Sequence, residues 1–208
     1  MRNQELEYKW EANSPRAFQR ARKALAGLGV LQGIGSKLHI VDYYIDTPTR
    51  TFEKQHIAMR LRQTNGHWEA TLKTRTEVIA GKAVRREETC ALPDAVDLES
   101  ALSLLKKKKK WKKLDVSQLK LLFVLTNKRE IVPVCFQNMQ AELAFDNCCL
   151  SVCGRKVCFK EIELELKRGA VQLLEKLANS FTQKTSLPYA HVSKVKTGMY
   201  LMQLWEGK

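Results

Sequence analysis

The sequence predicts an α+β fold built on a closed antiparallel β-barrel of about eight strands, with helices packed on the outside. Three observations point there. Strand-like segments, alternating or β-rich, outnumber helix-like ones. Tight turn pairs such as Asn65-Gly66 join neighbouring segments, as hairpins require. The charged faces of several strands also hold like charges at a density that costs stability unless something compensates it.

In chain order, strands are expected over Glu5–Glu11, Lys37–Asp46, Ile57–Thr64, His67–Thr74, Ala83–Leu92, Leu121–Val134, Gln140–Phe145, Cys148–Val152 and Val157–Lys167. Asp146-Asn147 and Gly154-Arg155 fit turns between the last of these. Helices are fewer. Ser14 offers a capping hydroxyl and Pro15 a first helical residue, so a helix should start there, run to about Leu28 and stop at Gly29. A second spans Asp97–Leu105. A third follows Gly169, with Val171, Leu174, Leu177 and Phe181 on one stripe. A fourth runs from Val195 to Leu204. With no internal repeat and no long Pro/Gly/Ser linker, residues 1–208 read as a single domain.

The strands are patterned inside out. Glu5, Glu7 and Lys9 share one face of the first strand, and Leu6, Tyr8 and Trp10 the other. Glu161, Glu163 and Glu165 alternate with Ile162, Leu164 and Leu166. Arg60 and Arg62 alternate with Met59 and Leu61, Lys73 opposes Leu72, Arg86 and Glu88 share a face, and Glu142 and Asp146 oppose Leu143 and Phe145. A sheet with its charged face in water explains any one of these strands. The set favours a barrel, because the helices must cover the apolar face and leave the charged one to curl inward. A barrel of about eight strands has no edges and encloses side chains or one small ligand. Buried unpaired charges are costly, so such an interior must be wet and its charges partnered. Carboxylates would hold Mg²⁺ or Mn²⁺, which prefer oxygen ligands. Arg and Lys would hold phosphate oxygens. The chemistry that needs both at once is phosphoryl transfer.

Composition agrees. Net charge is +14, from 36 Lys and Arg against 22 Asp and Glu, which attracts polyanions. The run Lys106–Lys113, broken only by Trp111, reads as a solvated helix end. Its single aromatic offers no stacking platform, which disfavours nucleic acid as partner. The six cysteines read as reduced thiols of a cytoplasmic protein without a secretory leader. Cys149, Cys153 and Cys158 lack the paired spacing of a zinc site. No apolar stretch approaches the ~20 residues a bilayer requires. There is no P-loop and no nucleophile elbow, which removes those phosphatase and hydrolase classes.

The ordered motifs resemble a known family. Glu5-Leu6-Glu7-Tyr8-Lys9 resembles the E-x-E-x-K signature that opens the CYTH family, the triphosphate tunnel metalloenzymes. Tyr43-Tyr44-Ile45-Asp46-Thr47-Pro48 resembles its Y-x-D-T-P segment, Arg60-Leu61-Arg62 its R-x-R, Thr71-Leu72-Lys73 its T-x-K and Arg86-Glu87-Glu88 its R-x-E. Arg129, Asp146, Glu161-Ile162-Glu163 and Ser193-Lys194 complete the series over essentially the whole chain. Within the family it looks most like the bacterial inorganic triphosphatases.

The resemblance implies an eight-stranded tunnel and a set of roles. Glu5, Glu7, Asp146, Glu161 and Glu163 would bind metal, Mg²⁺ or Mn²⁺. Lys9, Arg60, Arg62, Lys73, Arg86, Arg129 and Lys194 would bind substrate, with Glu5, Glu7, Lys9 and Lys73 catalytic. Three alternatives stay open: Glu165 for Glu161, Lys128 for Arg129, and Glu88 as a metal ligand or a group orienting Arg86. The implied activity is metal-dependent hydrolysis of tripolyphosphate. Thiamine triphosphatase or class IV adenylyl cyclase activity is the rival within the tunnel, and non-catalytic binding of polyphosphate or nucleic acid the rival outside it. A homodimer is compatible with the sequence.

Overall fold

The computed structural model describes residues 4–74, 77–79, 81–108 and 118–206. Its strands are β1 (Gln4–Glu11), β2 (Ser36–Asp46), β3 (Ala58–Thr64), β4 (His67–Lys73), β5 (Glu77–Ile79), β6 (Lys82–Ala91), β7 (Lys120–Phe136), β8 (Met139–Val152) and β9 (Arg155–Arg168). They form one antiparallel sheet in the order β1-β9-β8-β7-β2-β3-β4-β6-β5. β1 also pairs with β6, from Gln4↔Arg86 to Tyr8↔Lys82, so it is hydrogen-bonded on both sides and the sheet closes. β5 continues the line of β4 along β6, as Lys73↔Glu87 and Glu77↔Val84 show. β4 and β5 thus share one position in an eight-membered ring.

Turn chemistry sets two of the hairpins. Asn65 and Gly66, with φ of 50° and 87°, and Cys153 and Gly154, with φ of 48° and 73°, take the left-handed pairs that match the twist of the flanking strands. Asp146-Asn147 is not a turn. β8 runs straight through it, paired to β7 and β9 on both sides, and this cross-strand bonding overrides the local turn preference.

The helices are α1 (Ala17–Leu28), α2 (Thr51–Lys54), α3 (Leu98–Lys107), α4 (Val171–Thr185) and α5 (Lys194–Glu206). α1 ends at Gly29, φ 65°, as its sequence requires. It begins later than expected, because Ala17 donates to the Ser14 carbonyl at 3.1 Å in a preceding turn and the Ser14 hydroxyl accepts from Arg20 instead. Asp97 and Ser100 form a capping box on α3. Only Lys106–Lys108 of the lysine run are described, and the remainder lies outside the described residues. The short α2 is organised by Asp46, whose carboxylate accepts from the backbone of Thr47, Phe52 and Glu53 at 2.7, 2.9 and 3.0 Å.

α1 and α4 cover the outward face around Trp10, Leu143, Phe145 and Ile162, and α3 covers Leu61, Trp68 and Ala70. α5 corrects the expectation that all helices pack outside. Its Val195, Met199 and Met202 pack with Tyr44, Phe123, Leu125, Cys148 and Leu150. Cys148 and Leu150 share the inward face of Asp146, so α5 plugs one end of the barrel, where the lining turns apolar. The fit is close: a Cβ on Gly198 would stand 2.4 Å from the Phe123 ring.

Reading all the thiols as reduced also needs correction. Cys149 and Cys158 are register partners on β8 and β9 and form a disulfide. The Cys153-Gly154 hairpin brings them together on the outward face, a proximity that their spacing in sequence does not announce. Among the described residues, no helix is long and apolar enough to cross a membrane.

Candidate active site and metal centre

Alternation on the barrel strands turns their charged residues into a cavity of about 1290 Å³. One side is acidic. Asp146 on β8 and Glu161 and Glu163 on β9 are buried, and one carboxylate oxygen from each lies within 4.8 Å of the others. Cations from distant elements thread this group. Lys194, the first residue of α5, places Nζ 3.0 Å from Asp146 Oδ2 and 2.7 Å from Glu163 Oε1, and donates to Glu161 as well. Arg129 on β7 donates to both oxygens of Asp146 at 2.6 and 2.5 Å and to Glu163 Oε2 at 2.5 Å. Lys9 donates to Glu163 Oε1 at 2.7 Å and lies 3.0 Å from Glu7 Oε1.

The electrostatics follow from this interleaving. Burial alone would raise Glu163, but Lys194, Lys9 and Arg129 outweigh it and hold the carboxyl well below its usual range. Burial opposes ionisation of Asp146 too, and Lys194 and Arg129 again win. In return Glu161, Glu163 and Asp146 hold the Lys194 ammonium well above its ordinary value against its burial.

The other side is basic. Arg60 and Arg62 project from β3 and Lys73 from β4, where Lys73 pairs with Glu87 of β6. Arg62 donates through Nε and Nη2 to the two oxygens of Asp42 at 2.6 and 2.8 Å. Arg60 is looser: Nη2 is 3.2 Å from Thr71 Oγ1, Nη1 is 3.6 Å from Asp42 Oδ2, and the buried Nε has no hydrogen-bond partner among the described residues.

The structure therefore brings Glu5, Lys9, Arg60, Arg62, Lys73, Arg129, Glu163 and Lys194 onto the cavity wall, with Glu7, Asp146 and Glu161 buried among them. Arg86 is a correction. It is exposed and points outward, as does Glu88. Register sets this: Lys73 is opposite Glu87, and a one-residue slip in Arg85-Arg86-Glu87-Glu88 exchanges the two faces. Lys128 is exposed too. Glu165 lines the cavity but pairs with Lys167 at 3.0 Å, outside the three-carboxylate group. Sequence reasoning missed Asp42, Glu69 and Glu87 as lining residues. For Glu69 a signal existed, since Glu69, Thr71 and Lys73 alternate. Asp42 was hidden among the apolar residues Ile40, Val41, Tyr43 and Tyr44.

An inorganic triphosphatase of Haemophilus influenzae is 29% identical to this chain over 198 residues, covering 95% of the chain. The match is 55% of that protein, so the chain spans about half the length of the curated relative it matches. A Hippeastrum adenylyl cyclase candidate described as having a dominant triphosphatase activity superposes with a TM-score of 0.70 at 19% identity, covering 98% of this chain and 96% of the other. A Pyrococcus horikoshii protein superposes with a TM-score of 0.60 at 21% identity, covering 98% and 99%. At such identities the likeness of the two structures concerns the fold. The profile of the CYTH domain matches residues 3–199, nearly the whole chain, and the chain belongs to the CYTH domain family.

Proposed function

We propose that the chain hydrolyses inorganic triphosphate, with a divalent metal ion, inside the charged barrel. One observation carries this reading: a single chamber sets three converging buried carboxylates beside a wall of arginine and lysine. Asp146, Glu161 and Glu163 fit Mg²⁺ or Mn²⁺ by donor type, since both prefer oxygen ligands. Glu5 and Glu7 are the further acids of this reading. When bound, the ion supplies neutralisation of charge on phosphate oxygens. Arg60, Arg62 and Lys73 hold the phosphate chain from one side, and Lys9, Arg129 and Lys194 from the other. Arg60, whose nearest carboxylates, Asp42 and Glu69, stand at 3.6 and 3.7 Å, is incompletely paired on this wall. The protein is asked for little covalent chemistry, so positioning and charge stabilisation supply most of the rate.

A second reading is favoured by the apolar part of the cavity lining, Ile57, Leu122, Val195 and Met199, which adjoins the charged chamber. It would accept the organic group of thiamine triphosphate or ATP. The test is phosphate release from tripolyphosphate, thiamine triphosphate, ATP and pyrophosphate with Mg²⁺ and with Mn²⁺. The first reading expects tripolyphosphate to have the highest kcat/KM. Faster formation of cyclic AMP from ATP, or a preference for thiamine triphosphate, replaces it with the second.

A further inference from the structure

Asp42 is a carboxylate on the basic side of the chamber, where by charge alone it should weaken the hold on an anion. It is buried at 2% exposure, and Arg60 and Arg62 outweigh the effect of burial to keep it ionised below the usual carboxylate range. It stands opposite Arg62 in the β2–β3 register. Both its oxygens are taken by Nε and Nη2 of Arg62, at 2.6 and 2.8 Å. This two-pronged contact fixes the plane of the guanidinium. It leaves Nη1 of Arg62 with no acceptor among the described residues, on a side chain that lines the cavity. Asp42 Oδ2 also lies 3.6 Å from Arg60 Nη1, so one carboxylate stands between the two guanidiniums.

We propose that Asp42 is a positioning residue for the substrate: it orients the Arg62 fork, and beside it Arg60, toward the phosphate chain. The inference rests on the triphosphate reading of the chamber. It has a consequence of definite sign. Were Asp42 a mere counter-charge, its neutralisation would leave the chamber more positive and tighten anion binding. As a positioning residue its neutralisation must weaken binding. Asn at this place offers one acceptor oxygen and turns an amide donor toward a guanidinium that can only donate.

The experiment measures tripolyphosphate affinity by calorimetry with metal chelated, so that the basic wall is read without turnover. Asp42→Asn should weaken binding by about ten- to a hundredfold, the scale of one oriented charge-assisted contact. Arg62→Lys, which keeps the charge and loses the fork, should match it. In an Arg62→Ala background Asp42→Asn should cost much less than alone, because the two residues act as a unit. Equal or tighter binding by Asp42→Asn, wild-type binding by Arg62→Lys, or strict additivity overturns the inference and leaves the functional reading standing. A wild-type protein that binds no tripolyphosphate with metal chelated overturns the inference, and one that also releases no phosphate from it with Mg²⁺ or Mn²⁺ overturns both. If Asp42→Asn does not fold, Arg62→Lys decides alone.

Discussion

Lys194 offers a sharp test of the metal centre, because its ammonium is held by the same Asp146, Glu161 and Glu163 that would ligate a divalent ion. Ion and ammonium compete for these oxygens. Lys194→Gln removes the competitor and leaves, among the described residues, Arg129 and Lys9 beside the buried carboxylates. Its side chain is 11% exposed, so solvent screens little of the loss. Removing one partner of a buried ion pair costs about 3–5 kcal/mol. At about 2–4 °C per kcal/mol for a chain of this length, Tm without metal should fall by roughly 6–20 °C. Metal affinity should move the other way. If the ion no longer breaks one charge-assisted contact worth about 1.5–3 kcal/mol, Mn²⁺ binds about ten- to a hundredfold tighter. Calorimetric titration of Mn²⁺ into substrate-free protein measures this. Scanning with Mn²⁺ at a hundred times Kd should return about 2.7 kcal/mol to the variant. Tripolyphosphate turnover should still fall, since a phosphate contact is lost. A Lys194→Gln protein that binds Mn²⁺ no tighter than wild type refutes the reasoning.

Three further outcomes can be measured directly. Arg86→Ala should leave kcat/KM within about twofold, because that side chain is exposed, whereas Arg60→Ala should lower it by about ten- to a hundredfold or more; equal losses would place Arg86 in the chamber. Urea midpoints against pH should form a broad plateau. Asp42, Asp146 and Glu163 are depressed, so they contribute stability above about pH 4 that is lost as pH falls through their folded values, while raised Lys194 contributes below about pH 10.4 and loses it as pH rises further; a steep change between pH 6 and 8 would contradict these pairings. Reduction of Cys149–Cys158, which closes a separation of nine residues, should cost less than the ~3 kcal/mol of a 15-residue loop and leave turnover unchanged, read as Tm and kcat with and without a thiol reductant.

Much of the barrel was legible because its signals are local. Period-two alternation identified which faces were charged, and Asn65-Gly66 and Gly154 marked two hairpins. Where local signals conflicted with pairing, pairing won. Asp146-Asn147 favours a turn, yet continuous bonding to two neighbours keeps β8 extended. Arg85-Arg86-Glu87-Glu88 reads equally well in either register, and only the partner strand chooses. α5 was located in the sequence, but nothing in its own periodicity says whether the surface it covers lies outside the barrel or within it.

The least legible feature is how the dense acids are tolerated. Read along β9, Glu161, Glu163 and Glu165 repel one another. Each meets cations in the folded barrel: Glu161 meets Lys194, Glu163 meets Lys9, Arg129 and Lys194, and Glu165 meets Lys167 of its own strand. Three of these partners come from β1, β7 and α5, with separations from Glu163 of 154, 34 and 31 residues. Compensation is therefore a property of closure: the network forms only when β1 has joined β9 and α5 has entered the barrel end. A metal ion and a polyanion entering such a lattice replace partners already present. Binding here exchanges one set of ionic contacts for another, so a chamber full of buried charge can be stable before any substrate arrives.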